Sequence, residues 1–401
     1  MHYSHHCVAP SDHRRDVRVL LVAETFTPAV NGVVNSVRHV ADQLAARGHD
    51  PIVLAPSGES YRSAGGHHID VVTVASRSLP GYRGLSVARP SIDLTDVMSE
   101  LRPDVVHLAS PVLLGWSAVQ AAKAADIPVV AVFQTDLCAF AARYGFGMST
   151  PLLWAWLRRL HNTADLTLAP SSATAYQLRR HGIGPIAMWT RGVDRDLFHP
   201  RRRDDAWRDR IAPRGELVVG FVGRLAPEKR VEMLAPVTGL ADTKLVIVGD
   251  GPKRRSLERL MPSAHFTGQL TGPELGAAMA SLDVLVHPGA DETFCQVVQE
   301  GLCAGVPVIA AASGGPLDLV RHGENGWLWA GDDPELLAAQ VAAVRDDPAE
   351  REQVRERARA SVSHRTWGRV TDQLIAHYGR VLAGERRGAV ARLRRPRGRA
   401  S

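Results

Sequence analysis

Val17 to Glu24 reads VRVLLVAE, and Glu216 to Arg224 reads ELVVGFVGR. In both, apolar residues follow one another without the alternation of a strand that keeps one wet face. Such a run marks a strand buried on both sides, as in a parallel sheet covered by helices. Outward from Val17 the pattern returns at DPIVLAP (50–56), DVVHLA (104–109), PVVAVF (128–133) and ADLTLAPS (164–171), with helical stretches between. Outward from Glu216 it returns at KLVIVGDG (244–251), DVLVHPG (283–289) and GVPVIAAASGG (305–315), and an edge strand is expected at Gly326 to Trp329.

Strands alternating with helices predict a doubly wound α/β domain, and this chain has two such series. RGVDRDLFHPRRRDD (191–205), polar and without periodicity, divides them. The expected organisation is a disordered extension (1–16), a first Rossmann-like domain (17–192), a linker (193–213) and a second Rossmann-like domain (214–365). A C-terminal helix (366–383) packing back towards the first domain and a basic disordered tail (384–401) complete it. Two halves of this kind imply a cleft, with ligands outside the carboxyl ends of the strands. That points to nucleotides or phosphates, and the chemistry must come from the loops.

Composition agrees. Of 401 residues 45% are hydrophobic, enough to bury a core and to exclude disorder for most of the chain. No segment reaches the roughly 18 uninterrupted apolar residues of a spanning helix. The longest candidate, 111–133, is broken by Gln120, Lys123 and Asp126, and the N-terminus has no apolar stretch of a secretory signal. Cys7, Cys138, Cys295 and Cys303 show no metal or CxxC spacing and suit a reducing compartment. A cytoplasmic protein is expected, peripheral on the inner face of the plasma membrane.

Between 385 and 401, seven arginines against one glutamate account for the whole net charge of +6. The body therefore lacks a nucleic-acid footprint. The tail is either solvated or drawn to an anionic membrane, at about 1 kcal/mol per basic residue. PLLWAWLRRLHN (151–162) places Leu152, Leu153, Trp156, Leu157 and Leu160 at helical spacing beside Arg158 and Arg159. Core packing explains it, and a helix lying on a membrane interface is the alternative.

Two loops carry the chemistry. GRLAPEKR places Arg224 and Lys229 on one strand-to-helix loop, where two cations can neutralise a leaving diphosphate. HPGADETFCQVVQEGLCAG (287–305) separates Glu292 from Glu300 by seven residues. On one continuous helix they would stand roughly 80° apart. A helix starting near Thr293 instead leaves Glu292 in the loop and Glu300 two turns in. A nucleotide sugar could bridge them, its diphosphate over free N–H groups around Phe294 to Gln296. In the first domain, VNGVVNS puts Gly32 between a strand and a helix, where backbone can approach a ligand closely. Gly249-Asp-Gly251 is followed by Arg254 where a third glycine would complete a dinucleotide fingerprint, which disfavours hydride chemistry. Asp194-Arg195-Asp196 imitates a metal-binding DxD but sits in the linker, so no metal is expected; His287 reads as a strand-end contact.

Together these residues resemble the retaining glycosyltransferases of the GT-B fold that carry a Glu-x7-Glu pair. Over Arg18 to Leu382, VAETFTPAVNGVVNSV, VHLASPVLLG, FQTD, GFVGRLAPEK, ETFCQVVQE and GGPLDLV are similar to the actinobacterial GDP-mannose-dependent α-mannosyltransferases that act on glycolipids. The resemblance implies GDP-mannose as donor and a lipid acceptor of the glucuronosyl-diacylglycerol or phosphatidylinositol mannoside type. It implies transfer with retention, without metal or other cofactor. Arg224 and Lys229 would hold the diphosphate, Glu300 the ribose and Glu292 the donor sugar. Backbone at Phe294 and Cys295 would lie near the phosphates, Gly32 beside the donor, and Gln134 and Asp136 on the acceptor side. Two positions depart from the wider family: Gln134 where many members have His, and Cys295 where Gly is frequent. Glutamine cannot act as a general base, and the closer subgroup shares both features. A UDP-sugar donor, a sugar-nucleotide epimerase and a silent nucleotide-sugar-binding protein are the alternatives.

Overall fold

The structure, a computed structural model, describes residues 16–29, 31–78, 86–88, 93–109, 111–141 and 150–384. The expected N-terminal extension (but for Asp16) and the basic tail (but for Gly384) lie outside these residues. The first domain contains β1 (Arg18–Ala23), β2 (Asp50–Ala55), β3 (Tyr61–Arg62), β4 (His68–Thr73), a separate antiparallel pair β5 (Ser76–Ser78) and β6 (Ser86–Ala88), β7 (Val105–Ala109), β8 (Val129–Val132), β9 (Leu166–Ala169) and β10 (Ile186–Met188). The second contains β11 (Leu217–Val222), β12 (Thr243–Val248), β13 (His265–Gly268), β14 (Val284–His287), β15 (Val308–Ala311) and β16 (Gly326–Trp329).

The first sheet runs β10-β9-β8-β7-β1-β2-β4-β3, parallel except for β3. The second runs β13-β12-β11-β14-β15-β16 and is parallel throughout, with Gly326–Trp329 at its edge as expected. In each, chain order reverses beside the first strand, between β1 and β7 and between β11 and β14. That is the doubly wound arrangement with one switch point per sheet, the GT-B architecture of two Rossmann-like domains.

The continuous apolar runs have a direct cause. In β1, Val19, Leu21 and Ala23 join the core on one side of the sheet, while Leu20 and Val22 join that on the other. In β11, Val218 and Val222 face one core and Leu217, Val219 and Phe221 the opposite one. Each such side chain contributes about 1.5–3 kcal/mol of transfer free energy, so a polar residue at any of these positions has no wet face to occupy.

The helix Trp367–Leu382 packs on the first-domain helix Gly32–Ala45. Trp189 Nε1 donates to the Val370 carbonyl at 2.9 Å, and the Tyr378 hydroxyl lies 2.7 Å from His107 Nδ1. Burial pushes His107 down to about 3, so this contact is made by a neutral ring. Closer to the cleft, Ser172 N–H donates to Asp318 Oδ2 at 2.6 Å and Thr174 Oγ1 to the Thr293 carbonyl at 3.1 Å.

The helix Thr150–Thr163 packs on the core as its apolar spacing suggests, with Leu157 and Leu160 buried and Leu153 and Trp156 against the core, but Leu152 departs from that face and Trp154 joins it. Trp154, Leu157, Leu160 and His161 are buried, whereas Leu152 is 75% exposed. Trp154 lies parallel to Phe133 and His181, which draws that side into the core. Trp156 packs on Trp116, and Arg159 stands over the Trp116 ring.

Candidate active site

The loops after β11 and β14 flank the switch point of the second sheet, where the crossovers part in opposite directions. The loop after β11 is held down by glycines beneath it. A Cβ at Gly249 would stand 1.9 Å from the Gly223 carbonyl oxygen, and one at Gly251 2.4 Å from that of Leu225. Gly249-Asp-Gly251 therefore seats the Arg224 loop. Arg224 itself is exposed and, among the described residues, its guanidinium has no hydrogen-bond or ion-pair partner.

Lys229 reaches across to the other loop and pairs with Glu292 Oε1. His287 Nε2 lies 2.9 Å from the same oxygen. Burial pushes the Glu292 carboxyl up, but Lys229 and His287 outweigh it and hold Glu292 well below the usual range. Burial likewise works against the charge on Lys229, and Glu292 more than compensates, raising its pKa. His287, stacked on Phe221 and 1% exposed, keeps Nδ1 without a hydrogen-bond partner. Ligand atoms of His287, Glu292 and Cys295 lie within 4.8 Å of one another. They fit a cation poorly, because an ammonium already occupies the Glu292 oxygen and burial keeps the Cys295 thiol protonated.

The helix carrying Glu300 begins later than the sequence suggests. It spans Gln296–Cys303, so Glu300 is little more than one turn in, not two. Cys295 explains the delay: its φ of 71° is left-handed and breaks the helical path between Thr293 and Gln296. As N-cap it makes no side-chain hydrogen bond, leaving the helix start uncapped. The Phe294 and Cys295 side chains are buried in the core beneath the sheet, with the Cys295 thiol close under the Glu292 and His287 side chains. Gly315 presses on this loop from below: its N–H donates to the Glu292 carbonyl at 2.7 Å, and a Cβ there would be 2.3 Å from Phe294 backbone. This is what GGPLDLV does locally. Burial raises Glu300 to about 8, against the pull of Gln296 and Arg191, with Asp194 adding to the rise.

On the facing domain, Gly32 opens its helix behind an Asn31 cap. Gln134 is buried; its carbonyl accepts from Thr293 Oγ1 at 2.7 Å and its side-chain oxygen from Arg191. Asp136 has both oxygens engaged: Oδ1 caps the amides of Cys138 and Ala139, and Oδ2 accepts from Gln177 Nε2 at 2.8 Å. In the linker, Asp194 closes a turn by accepting from the N–H groups of Asp196 and Leu197.

Two residues near the cleft carry no motif in the sequence. Arg191, read only as the start of the linker, lies buried between the domains with Glu292 and Glu300 in its field. Glu24, read only as the end of a strand, caps the helix Leu113–Ala124 by accepting from Val112, Leu114 and Gly115 N–H at 2.6, 3.2 and 2.9 Å. A carboxylate at the end of a buried strand, next to a switch point, was a signal for the second; nothing local signalled the first.

Two facing Rossmann-like domains with cations and carboxylates at one switch point define a nucleotide-sugar-handling enzyme of the GT-B class. Residues 30–197 match glycosyltransferase family 4 and residues 203–361 match glycosyl transferases group 1. The chain is 47% identical over 369 residues to a GDP-mannose-dependent alpha-mannosyltransferase of Mycolicibacterium smegmatis, covering 91% of this chain and 98% of that protein. It is 44% identical over 373 residues to the protein of the same name from Corynebacterium glutamicum, covering 92% and 90%. A solved sucrose-phosphate synthase from Thermosynechococcus elongatus superposes with a TM-score of 0.77 at 19% identity, over 91% of this chain and 99% of that one. The chain belongs to this glycosyltransferase family.

Proposed function

We propose that this protein transfers mannose from GDP-mannose, with retention of anomeric configuration, to a hydroxyl of a membrane glycolipid. The observation that carries the reading is the Lys229–Glu292 pair beside the uncapped start of helix 296–303, with Glu300 on that helix. The names of the 44–47% identical relatives support mannose and the guanine nucleotide.

In this reading Arg224 and Lys229 hold the diphosphate over the backbone at Phe294 and Cys295, Glu300 binds the ribose hydroxyls, and Gly32 lies beside the donor. As the diphosphate enters, it replaces Glu292 as the counter-charge of Lys229 and frees that carboxylate for the mannose hydroxyls. Glu292 keeps its contact with His287. The acceptor oxygen then bonds to the anomeric carbon on the face from which the phosphate oxygen departs, and the departing oxygen takes the hydroxyl proton. Gln134 stands on the acceptor side, in the loop that Asp136 caps. Arg224 and Lys229 stabilise the developing charge, Lys229 from a largely buried position and Arg224 from the exposed rim.

A lipid acceptor is supported by the helix Thr150–Thr163, which exposes Leu152 and keeps Trp156 half-buried beside Arg159. No helix among the described residues is long and apolar enough to cross a membrane, so the protein would meet its acceptor from the side. The test is incubation of purified protein with a panel of labelled sugar nucleotides and total lipid, followed by linkage analysis. Label from GDP-mannose should appear in a lipid with an α-linkage. Transfer only from a UDP-sugar, epimerised donor without an acceptor, or donor binding without product would each overturn the reading.

A further inference from the structure

Arg191 is held from both domains. Its backbone carbonyl accepts from Gln299 Nε2 at 3.0 Å, and the next carbonyl, Gly192, accepts from Gln296 Nε2 at 3.0 Å. Both glutamines belong to helix 296–303, so the donor-side helix fixes the main chain here. The side chain points the other way. One terminal nitrogen donates to the Gly32 carbonyl at 3.1 Å, and the other to the Gln134 side-chain oxygen. Arg191 is thus tied to one domain by its backbone and to the other by its guanidinium.

Its environment is unusual for a structural cation. It is 8% exposed, and no carboxylate lies within ion-pair distance among the described residues. Burial draws it down to about 10, against the fields of Glu292 and Glu300, so it remains charged at neutral pH. A buried guanidinium needs its donors filled and its charge balanced. Here the charge sits in the field of the Glu292 carboxylate of the second domain, and the guanidinium donates to Gly32 and Gln134 of the first, so the cation is satisfied only while both lobes stand in this relation. The planar fork addresses two acceptors at once, which a lysine ammonium on a single-ended stem cannot do with the same geometry.

We propose that Arg191 is a positioning residue that sets the Gln134 loop and the Gly32 turn in register with the acidic pair of the opposite domain. The proposal rests on the transfer reading above. Its consequence is selective: the acceptor hydroxyl must be placed against the anomeric carbon, whereas the diphosphate is held by groups Arg191 does not touch. Loss of register should therefore harm transfer more than donor binding, and should let water take the place of the acceptor, giving free mannose and GDP.

The experiment compares Arg191→Met and Arg191→Lys with wild type in three readouts: kcat for lipid mannosylation, the ratio of GDP-mannose hydrolysis to transfer, and GDP affinity by calorimetry. Misplacement by about 1 Å can cost roughly 100-fold in rate, so Arg191→Met should lower kcat by about 10- to 100-fold. The hydrolysis ratio should rise, and GDP affinity should change by less than about threefold, because the lost interaction acts on the reacting geometry. Arg191→Lys, which keeps the charge and one of the two bonds, should recover part of the rate. Gln134→Met removes one anchor without touching the cation; it should raise the hydrolysis ratio in the same direction, and serves if Arg191→Met does not fold. Unchanged kcat and hydrolysis ratio in Arg191→Lys and Gln134→Met would overturn the proposal. So would a fall in GDP affinity parallel to kcat, which would make Arg191 a donor ligand. A wild-type protein that transfers no sugar from any nucleotide would instead overturn the transfer reading.

Discussion

Two helix starts lie at equivalent switch points of the two sheets, and the chain treats them in opposite ways. Helix 113–124, after β7, has the Glu24 carboxylate on the amides of Val112, Leu114 and Gly115. Helix 296–303, after β14, has no side-chain cap, and its N-cap residue sends its thiol into the core. Helix starts attract anions through their free N–H groups and dipole. The repeated fold therefore offers that attraction twice; in one domain a built-in carboxylate takes it up, and in the other no side chain caps it, which is where the proposed function puts the diphosphate. A single residue at the end of β1 makes the difference. Burial raises the Glu24 carboxyl even though four backbone N–H groups pull it down, so the cap is held at a desolvation cost.

The largest test of this contrast is removal of the cations on the open side. Lys229→Ala or Arg224→Ala should each lower kcat by about 100-fold, in line with removing one donor from a charge-stabilising site. Steady-state transfer of labelled mannose measures this, and near wild-type turnover in both variants would remove the phosphate from this end of the cleft. On the filled side, Glu24→Ala leaves three amides without their acceptor and should destabilise the protein by about 1–3 kcal/mol in denaturant unfolding. If Glu24→Ala unfolds like wild type, the cap is ornamental and the contrast fails.

Protonation sharpens the comparison further. Glu300, raised to about 8 by burial, is mostly neutral at pH 7. Its ionised fraction grows about tenfold between pH 7 and 9, and donor affinity through the ribose should strengthen in that window by up to that factor. Folding stability moves the other way: a carboxyl raised in the folded state binds a proton that the unfolded chain has lost, so this group's contribution falls as pH rises from about 4.5 to 8. Donor titrations across this range in wild type and Glu300→Gln decide the matter; equal slopes would clear Glu300 of the role. The smallest effect is expected at Cys295. Cys295→Gly relieves a left-handed backbone that costs a side-chain-bearing residue about 1–2 kcal/mol and forfeits a buried thiol of similar worth. Stability should change by less than about 1 kcal/mol, with kcat close to wild type, since the thiol is buried and carries no charge.

Much of this was legible in the chain. Strands such as Leu217–Val222 and Val105–Ala109 declare themselves because burial on both faces leaves no polar positions. The strands His68–Thr73, His265–Gly268 and Ile186–Met188 did not, because at or near the sheet margins they are partly exposed and their residues are mixed. Lys229 and Glu292 could be picked out as charges on strand-end loops, and Glu300 as a charge on the helix that follows. The pairing of Lys229 with Glu292, 63 residues on, could not. Cys295 could be noticed in sequence, but its direction into the core was set by the turn that Gly315 supports.

The two-sheet α/β architecture and the loops that carry charge follow from neighbouring residues, whose hydropathy and turn chemistry act locally. Which charges meet is settled by the folded arrangement. Arg191 is 57 residues from Gln134 and 159 from Gly32, and it finds both only after the strand orders have folded the lobes face to face. The worth of a charge depends on the dielectric and partners it acquires there, and that is a property of the assembled cleft.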